Sequence, residues 1–166
     1  MAFTGSNDYI TGRAPVPTPA GAEVVATRFT LAMATADLAL NSIGQIGILP
    51  AGCVPVALYV DGTDMDSSTA AVIFQVGLGN LALQDAAGAT SADAKNTLIS
   101  TVAKDGGAAW GSTTAVNTAF QQQILSQPMQ TVTRVDYDRS ILVKVATAPT
   151  TAVAGTLGLT LLYRSA

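Results

Sequence analysis

One stretch of this chain after another alternates apolar and polar side chains, with turn residues between. Thr156–Arg164 is the clearest. Leu157, Leu159, Leu161 and Tyr163 share one parity, and Thr156, Gly158, Thr160 and Arg164 share the other. A period of two sends one face into a core and the other toward water, the pattern of a half-buried β-strand. A chain built of such stretches is confined to sheets stacked on sheets.

The same reading places strands at about Glu23–Met33, Asp37–Leu49, Cys53–Asp61, Ala70–Gly79, Thr131–Tyr137, Ser140–Thr147 and Thr156–Tyr163. Expected inner faces are Val25, Phe29, Leu31 and Met33, then Leu38, Leu40, Ile46 and Ile48, then Val54, Val56, Leu58 and Val60. Val72, Phe74, Val76 and Leu78 follow, and later Ile141, Val143 and Val145. Leu49-Pro50-Ala51-Gly52 reads as a turn, and Asp138-Arg139 as a tight hairpin turn. Gly44 and Gly47 point to a bulge or a close backbone approach.

Two regions break the pattern. Met1–Gly21, with Pro15, Pro17 and Pro19, reads as an extended arm, because alternating prolines hold a polyproline-like path. Its apolar groups Phe3, Tyr9 and Ile10, with Arg13, are candidates for contact with a partner. Deleting the arm is expected to leave the fold intact. The other region is an insertion at about 88–128. Ser91–Lys104 has a helical stripe of Leu98, Ile99 and Val102, an N-cap serine and a stop at Asp105-Gly106-Gly107. Ala119–Leu125 reads as a second short helix, and Trp110 lies in the least legible part. The whole is one domain, residues 22–166, all-β. The fold expected is an antiparallel β-sandwich of the jelly-roll kind, with a short helical insertion and an N-terminal arm.

Composition narrows the chemistry. The 166 residues include eight basic and eleven acidic side chains, no histidine and one cysteine, for a net charge of −3. No basic run offers phosphates a footprint, so no nucleic-acid partner is expected. No apolar run is long enough for a membrane helix, so no membrane partner is expected either. The N-terminus lacks a signal-peptide layout, which favours a protein made in a cytoplasm. Cys53 reads as a small buried hydrophobe.

No catalytic constellation emerges, so an enzyme is the weakest reading. A nucleophilic triad lacks its histidine base. Asp136 and Asp138 show no converging acidic partner for glycoside hydrolysis. Gly77-Leu78-Gly79 lacks the third glycine and helix of a phosphate cradle. Asp61, Asp64 and Asp66 form the one carboxylate cluster. They are weak metal candidates, since their spacing does not fit an EF-hand and such carboxylates commonly cap loop amides. No cofactor is implied. Arg28, Arg134 and Arg164 sit on polar parities and suit either a solvated face or an interface. Arg28 and Arg134, with Trp110, are candidates for an oligomer interface.

Two blocks carry a resemblance. One is Ile48-Leu49-Pro50-Ala51-Gly52-Cys53-Val54-Pro55-Val56, running into Asp64-Met65-Asp66-Ser67 and Val72-Ile73-Phe74-Gln75-Val76-Gly77-Leu78. The other is Asp138-Arg139-Ser140-Ile141-Leu142-Val143-Lys144-Val145 with Ala154-Gly155-Thr156-Leu157 and Leu161-Leu162-Tyr163. In these the chain resembles the jelly-roll head decoration (cement) proteins of tailed bacteriophages. The resemblance implies a non-enzymatic homodimer or homotrimer on the outer surface of a virion capsid. There it would bridge major capsid protein subunits at symmetry or quasi-symmetry axes. It implies no catalytic residues. A competing reading is a carbohydrate- or receptor-binding β-sandwich of a phage tail or fibre, which needs exposed aromatics such as Trp110.

Overall fold

The computed structural model describes residues 3–69, 71–82, 109–124 and 132–166. Eight strands are found among them. They are β1 (Val24–Met33), β2 (Ile43–Leu49), β3 (Cys53–Gly62), β4 (Ile73–Ala82), β5 (Ala109–Ser112), β6 (Phe120–Ile124), β7 (Arg139–Thr147) and β8 (Gly155–Ser165). They make two four-stranded sheets, ordered β1-β8-β3-β6 and β2-β7-β4-β5. All neighbours pair antiparallel. First pairs with last, second with seventh, third with sixth and fourth with fifth, as in one long hairpin rolled around a core. That is the expected jelly roll.

The inner faces follow from side-chain alternation. Phe29, Leu31 and Met33 of β1 face Phe74, Val76 and Leu78 of β4 and Ile141, Val143 and Val145 of β7 within one buried cluster. Leu157, Leu159, Leu161 and Tyr163 of β8 are fully buried, as the alternation requires. Gly47 is the close approach. A Cβ there would stand 2.6 Å from Cδ2 of Phe29, so the glycine lets that ring lie against the opposite backbone.

Four expectations change. The stretch Asp37–Leu49 is not one strand, because Thr35–Leu38 forms a 3-10 turn. Asn41 then takes a left-handed φ of 63°, which asparagine tolerates, and β2 begins only at Ile43. Leu40 is therefore 58% exposed. In β3 the register against β8 shifts between Pro55 and Ala57. A bulge reverses facing, so Cys53 and Pro55 are buried before it, Leu58 and Val60 after it, and Val56 swings out at 41% exposure. Within the expected helix Ala119–Leu125, Phe120–Ile124 is a strand: it pairs with β3, and tertiary pairing overrides the local preference of its glutamines. Val132–Asp138 pairs with no strand among the described residues, so Asp138-Arg139 is no hairpin turn. Instead Gly52 N–H donates to Val135 O at 2.7 Å and Ala51 N–H to Asp138 Oδ1 at 2.8 Å. The expected helix Ser91–Lys104 lies outside the described residues, as does much of the 88–128 insertion.

The arm folds back on its own sandwich. β1 and β2 are edge strands on the same side, and the arm runs along the seam between them. Phe3 N–H donates to Ile43 O at 3.1 Å, and the Phe3 ring fills the space a side chain on Gly44 would take. Thr4 donates through N–H (2.8 Å) and Oγ1 (3.0 Å) to the buried carboxylate of Asp37, which also accepts Ala34 N–H at 2.9 Å. Asn7 Nδ2 donates to Thr30 O of β1 at 3.0 Å and to Ile46 O of β2 at 2.8 Å. Ile46 is the residue skipped at the β2 register shift, so its carbonyl has lost the ladder and finds the amide. Tyr9 packs edge-on to Phe29 at 5.0 Å, and the buried Tyr163 hydroxyl donates to Pro17 O. An arm holding this many edge groups is part of the fold.

Candidate interaction surface

The carboxylate cluster divides into three separate tasks. Asp61 pairs with Arg28 through two 2.6 Å hydrogen bonds, a bidentate fork lying flat on the outer face of β1-β8-β3-β6. Gly158 makes this possible, since a Cβ there would stand 2.6 Å from both Arg28 Nη2 and Asp61 Oδ2. Asp64 Oδ1 accepts Asp66 N–H at 3.0 Å inside its own loop. Asp66 is fully buried. It accepts Thr150 and Thr151 N–H at 3.0 Å each and Ser68 Oγ at 3.1 Å, and so ties the 63–68 loop to the 148–152 loop. Burial pushes its pKa up. The amides of Thr151 and Thr150, with the hydroxyl and amide of Ser68, outweigh that and hold the carboxyl below its ordinary value. Among the described residues no three metal-ligating side chains converge.

The arm candidates divide by exposure. Phe3, Tyr9 and Ile10 are half-buried, with Phe3 and Tyr9 packed on the core, while Arg13 is exposed on the turn that follows. Trp110 on β5 is fully buried in the core. It fills the sandwich and presents no surface, which also removes it as a sugar-stacking platform. Tyr163, likewise inside, has its phenol raised by burial, partly offset by the hydrogen bond from Thr27 at 2.9 Å. It stays protonated at neutral pH and so can donate to Pro17. Cys53 is buried, and that burial, reinforced by Asp138, raises its thiol pKa against the lowering effect of Arg139. A raised thiol pKa leaves little thiolate at neutral pH.

The outer face of β1-β8-β3-β6 is partly exposed. Across it the register lines up Arg28, Thr160, Tyr59 and Gln123, and Gln123 Nε2 donates to Tyr59 Oη at 3.2 Å. At one end apolar groups reach solvent, Val24 at 51% and Val56 at 41%. Beside Val56 lies an open hollow of about 470 Å³, lined by Val54, Pro55, Val56, Val132, Arg134, Arg164 and Ala166. Arg134 and Arg164 thus share a lining, while Arg28 sits apart in its ion pair. Alternation flagged Arg28, Arg134 and Arg164 alike. It placed Arg134 on a strand, whereas Arg134 approaches from the strandless 132–138 segment. Asn7 and Asp37 were missed as structural groups, because the carbonyls and amides they satisfy belong to distant elements.

No protein-family model matches the chain, and no curated protein matches it. Among solved structures, a chain in the capsid of Ralstonia phage GP4 is similar in fold. It is 25% identical, with 96% of each chain covered and a TM-score of 0.71. A chain of the cyanophage Pam1 capsid asymmetric unit is 19% identical, covering 92% of this chain and 94% of that one, with a TM-score of 0.46.

Proposed function

We propose that this chain is a structural protein of a bacteriophage virion, one that decorates and stabilises the capsid from outside by bridging major capsid protein subunits. The observation that carries the reading is the likeness to a chain in a phage capsid over 96% of both chains, at a TM-score of 0.71. The site chemistry agrees with it. Described carboxylates that sequence made candidates for a site are occupied in an ion pair or in loop amides, and the polar atoms of the outer face bond to one another. The reading includes a homodimer or homotrimer, because a repeated lattice rewards weak contacts multiplied by copy number. Catalysis plays no part in it.

The test is the copy number of the chain in purified virions of the encoding phage, measured by quantitative mass spectrometry against the major capsid protein. A simple-fraction ratio, hundreds of copies, is expected. A handful of copies would move the protein to a tail or fibre, and absence would overturn a virion role. The carbohydrate-binding alternative has lost its leading aromatic, since Trp110 is buried in the core.

A further inference from the structure

We infer that the hollow between the β3 bulge, the end of β8 and the 132–138 segment is a docking site for an acidic, apolar-flanked segment of a neighbouring virion protein. The inference rests on the proposed virion role and names its contact site. Three separate pieces of chain converge there. The bulge between Pro55 and Ala57 turns Val56 outward, which is how bulges re-aim side chains at sheet edges and functional sites. Arg164 stands directly across from Val54 in the β3–β8 register, so its side chain rises beside the apolar floor. Arg134 enters from the opposite wall, on a segment fastened to the β2–β3 turn by Gly52 N–H to Val135 O.

Positive charge is in excess in this hollow. Among the described residues no acidic side chain lines it, and no carboxylate, the terminal one of Ala166 included, stands within ion-pair distance of Arg134 or Arg164. Among the described residues Arg28 pairs with Asp61, and Arg134 has no hydrogen-bond or ion-pair partner. Arg164 reaches only the carbonyl of its neighbour Ser165, at 3.1 Å. In a chain of net charge −3, two arginines lining one cavity with no ion pair to either is an asymmetry that a partner's carboxylate would resolve. Guanidinium suits that task, because its planar fork takes a carboxylate bidentately and is weakly hydrated. Val54, Val56 and Val132 give the residues flanking the carboxylate an apolar seat, and exclusion of water there strengthens the charge pair. Both charges are needed to complement an acidic segment, so reversal of the two together is the informative change.

The experiment replaces the gene in the encoding phage with R134E/R164E and counts copies per purified virion. The isolated proteins are followed by thermal melting and by light scattering. Expected is a wild-type chain at high copy and a double variant reduced about tenfold or more, with unchanged melting. R134Q/R164Q, which removes charge without reversing it, should fall between them, and it decides the matter if the Glu variant melts early. Wild-type copy number in both variants would overturn the docking site while leaving the virion role intact. Absence of the wild-type chain from virions would overturn the virion role itself. Conversion of a wild-type oligomer to monomer by either variant would make the occupant a second copy of this chain and overturn the inference.

Discussion

Asn7 is the best single place to ask whether the N-terminal segment belongs to the fold. Its side chain makes three hydrogen bonds: Nδ2 to Ile46 O at 2.8 Å, Nδ2 to Thr30 O at 3.0 Å, and Oδ1 from Ile10 N–H at 3.0 Å. The orientation of the amide follows from these partners, two carbonyls at one end and one N–H at the other. A typical bond of this kind contributes about 1 kcal/mol net. The bond to Thr30 is open to solvent, where water can replace the lost donor. The Ile46 carbonyl, already out of its ladder, has less recourse. Asn7→Ala is therefore expected to cost about 2 kcal/mol, or about 4–8 °C in Tm for a domain of this size.

Asn7→Asp is the sharper variant. It keeps the acceptor for Ile10 N–H but sets a carboxylate against two carbonyl oxygens. At pH 7 it should melt below Asn7→Ala. Below about pH 4, where an aspartate takes up its proton, the gap between the two variants should narrow. The assay is thermal or urea unfolding followed by circular dichroism. Melting of both variants within about 1 °C of wild type would refute the idea that the arm closes the β1–β2 seam. An Asp variant more stable than the Ala variant at pH 7 would refute the donor assignment. The same geometry revises the expected outcome of deleting Met1–Gly21. Removing Phe3, Tyr9 and Val16 strips apolar cover from the core, so the truncated chain should melt well below the full one.

Two further perturbations test the loops and the core. Asp66 has its carboxyl held below the ordinary value in the folded chain, so its stabilisation is present above the unfolded pKa of about 3.9 and is lost as pH falls through the folded value. Asp66→Asn should be less stable than wild type at pH 7, and urea midpoints of the two should converge in strong acid; parallel pH profiles would contradict this. Gly47→Ala places a methyl 2.6 Å from the Phe29 ring, an overpacking expected to cost about 1–3 kcal/mol, read as an earlier urea midpoint with an unchanged slope.

The legible part of this fold was the part whose residues decide locally. In β4, β7 and β8 no residue of the strand itself is skipped in the pairing between Phe74 and Leu78, Ile141 and Val145, or Leu157 and Leu161, so Val72, Phe74, Val76 and Leu78, then Ile141, Val143 and Val145, then Leu157, Leu159 and Leu161 fell on the inner face as expected. Misplaced residues cluster where one local event resets the parity. The bulge at Val56 reverses facing in mid-strand, and a periodicity argument carries the wrong parity across it. The end of the 3-10 turn Thr35–Leu38 and the following Asn41, at φ 63°, lie in a stretch that alternation had absorbed into β2. β6, with Gln121, Gln122 and Gln123 in a row, has little strand preference of its own and is a strand because β3 pairs with it. The candidate site was less legible for the same reason. Arg134 and Arg164 are 30 positions apart, and what unites them is a hollow formed by three elements.

The distribution of polar groups says where a function of this molecule can sit. A buried carboxylate is costly unless it is hydrogen-bonded, and a jelly roll with long connections has many loop amides to satisfy. Asp37 and Asp66 take that work, each accepting at least three bonds from backbone or hydroxyl donors. Asp61 is bound to Arg28, and Asp138 holds the turn at Ala51. Carboxylates committed in this way are poor general acids or bases, because a proton exchanged there would break the loop it secures. Among the described side chains without such bonds are Val24 and Val56 at the surface and the guanidinium groups of Arg134 and Arg164 beside Val56. Apolar area next to unpaired guanidinium is chemistry suited to holding another protein surface, since such contacts gain from exclusion of water and from carboxylate pairing. On the proposed docking role, specificity is expected at the β3 bulge more than along the regular strands.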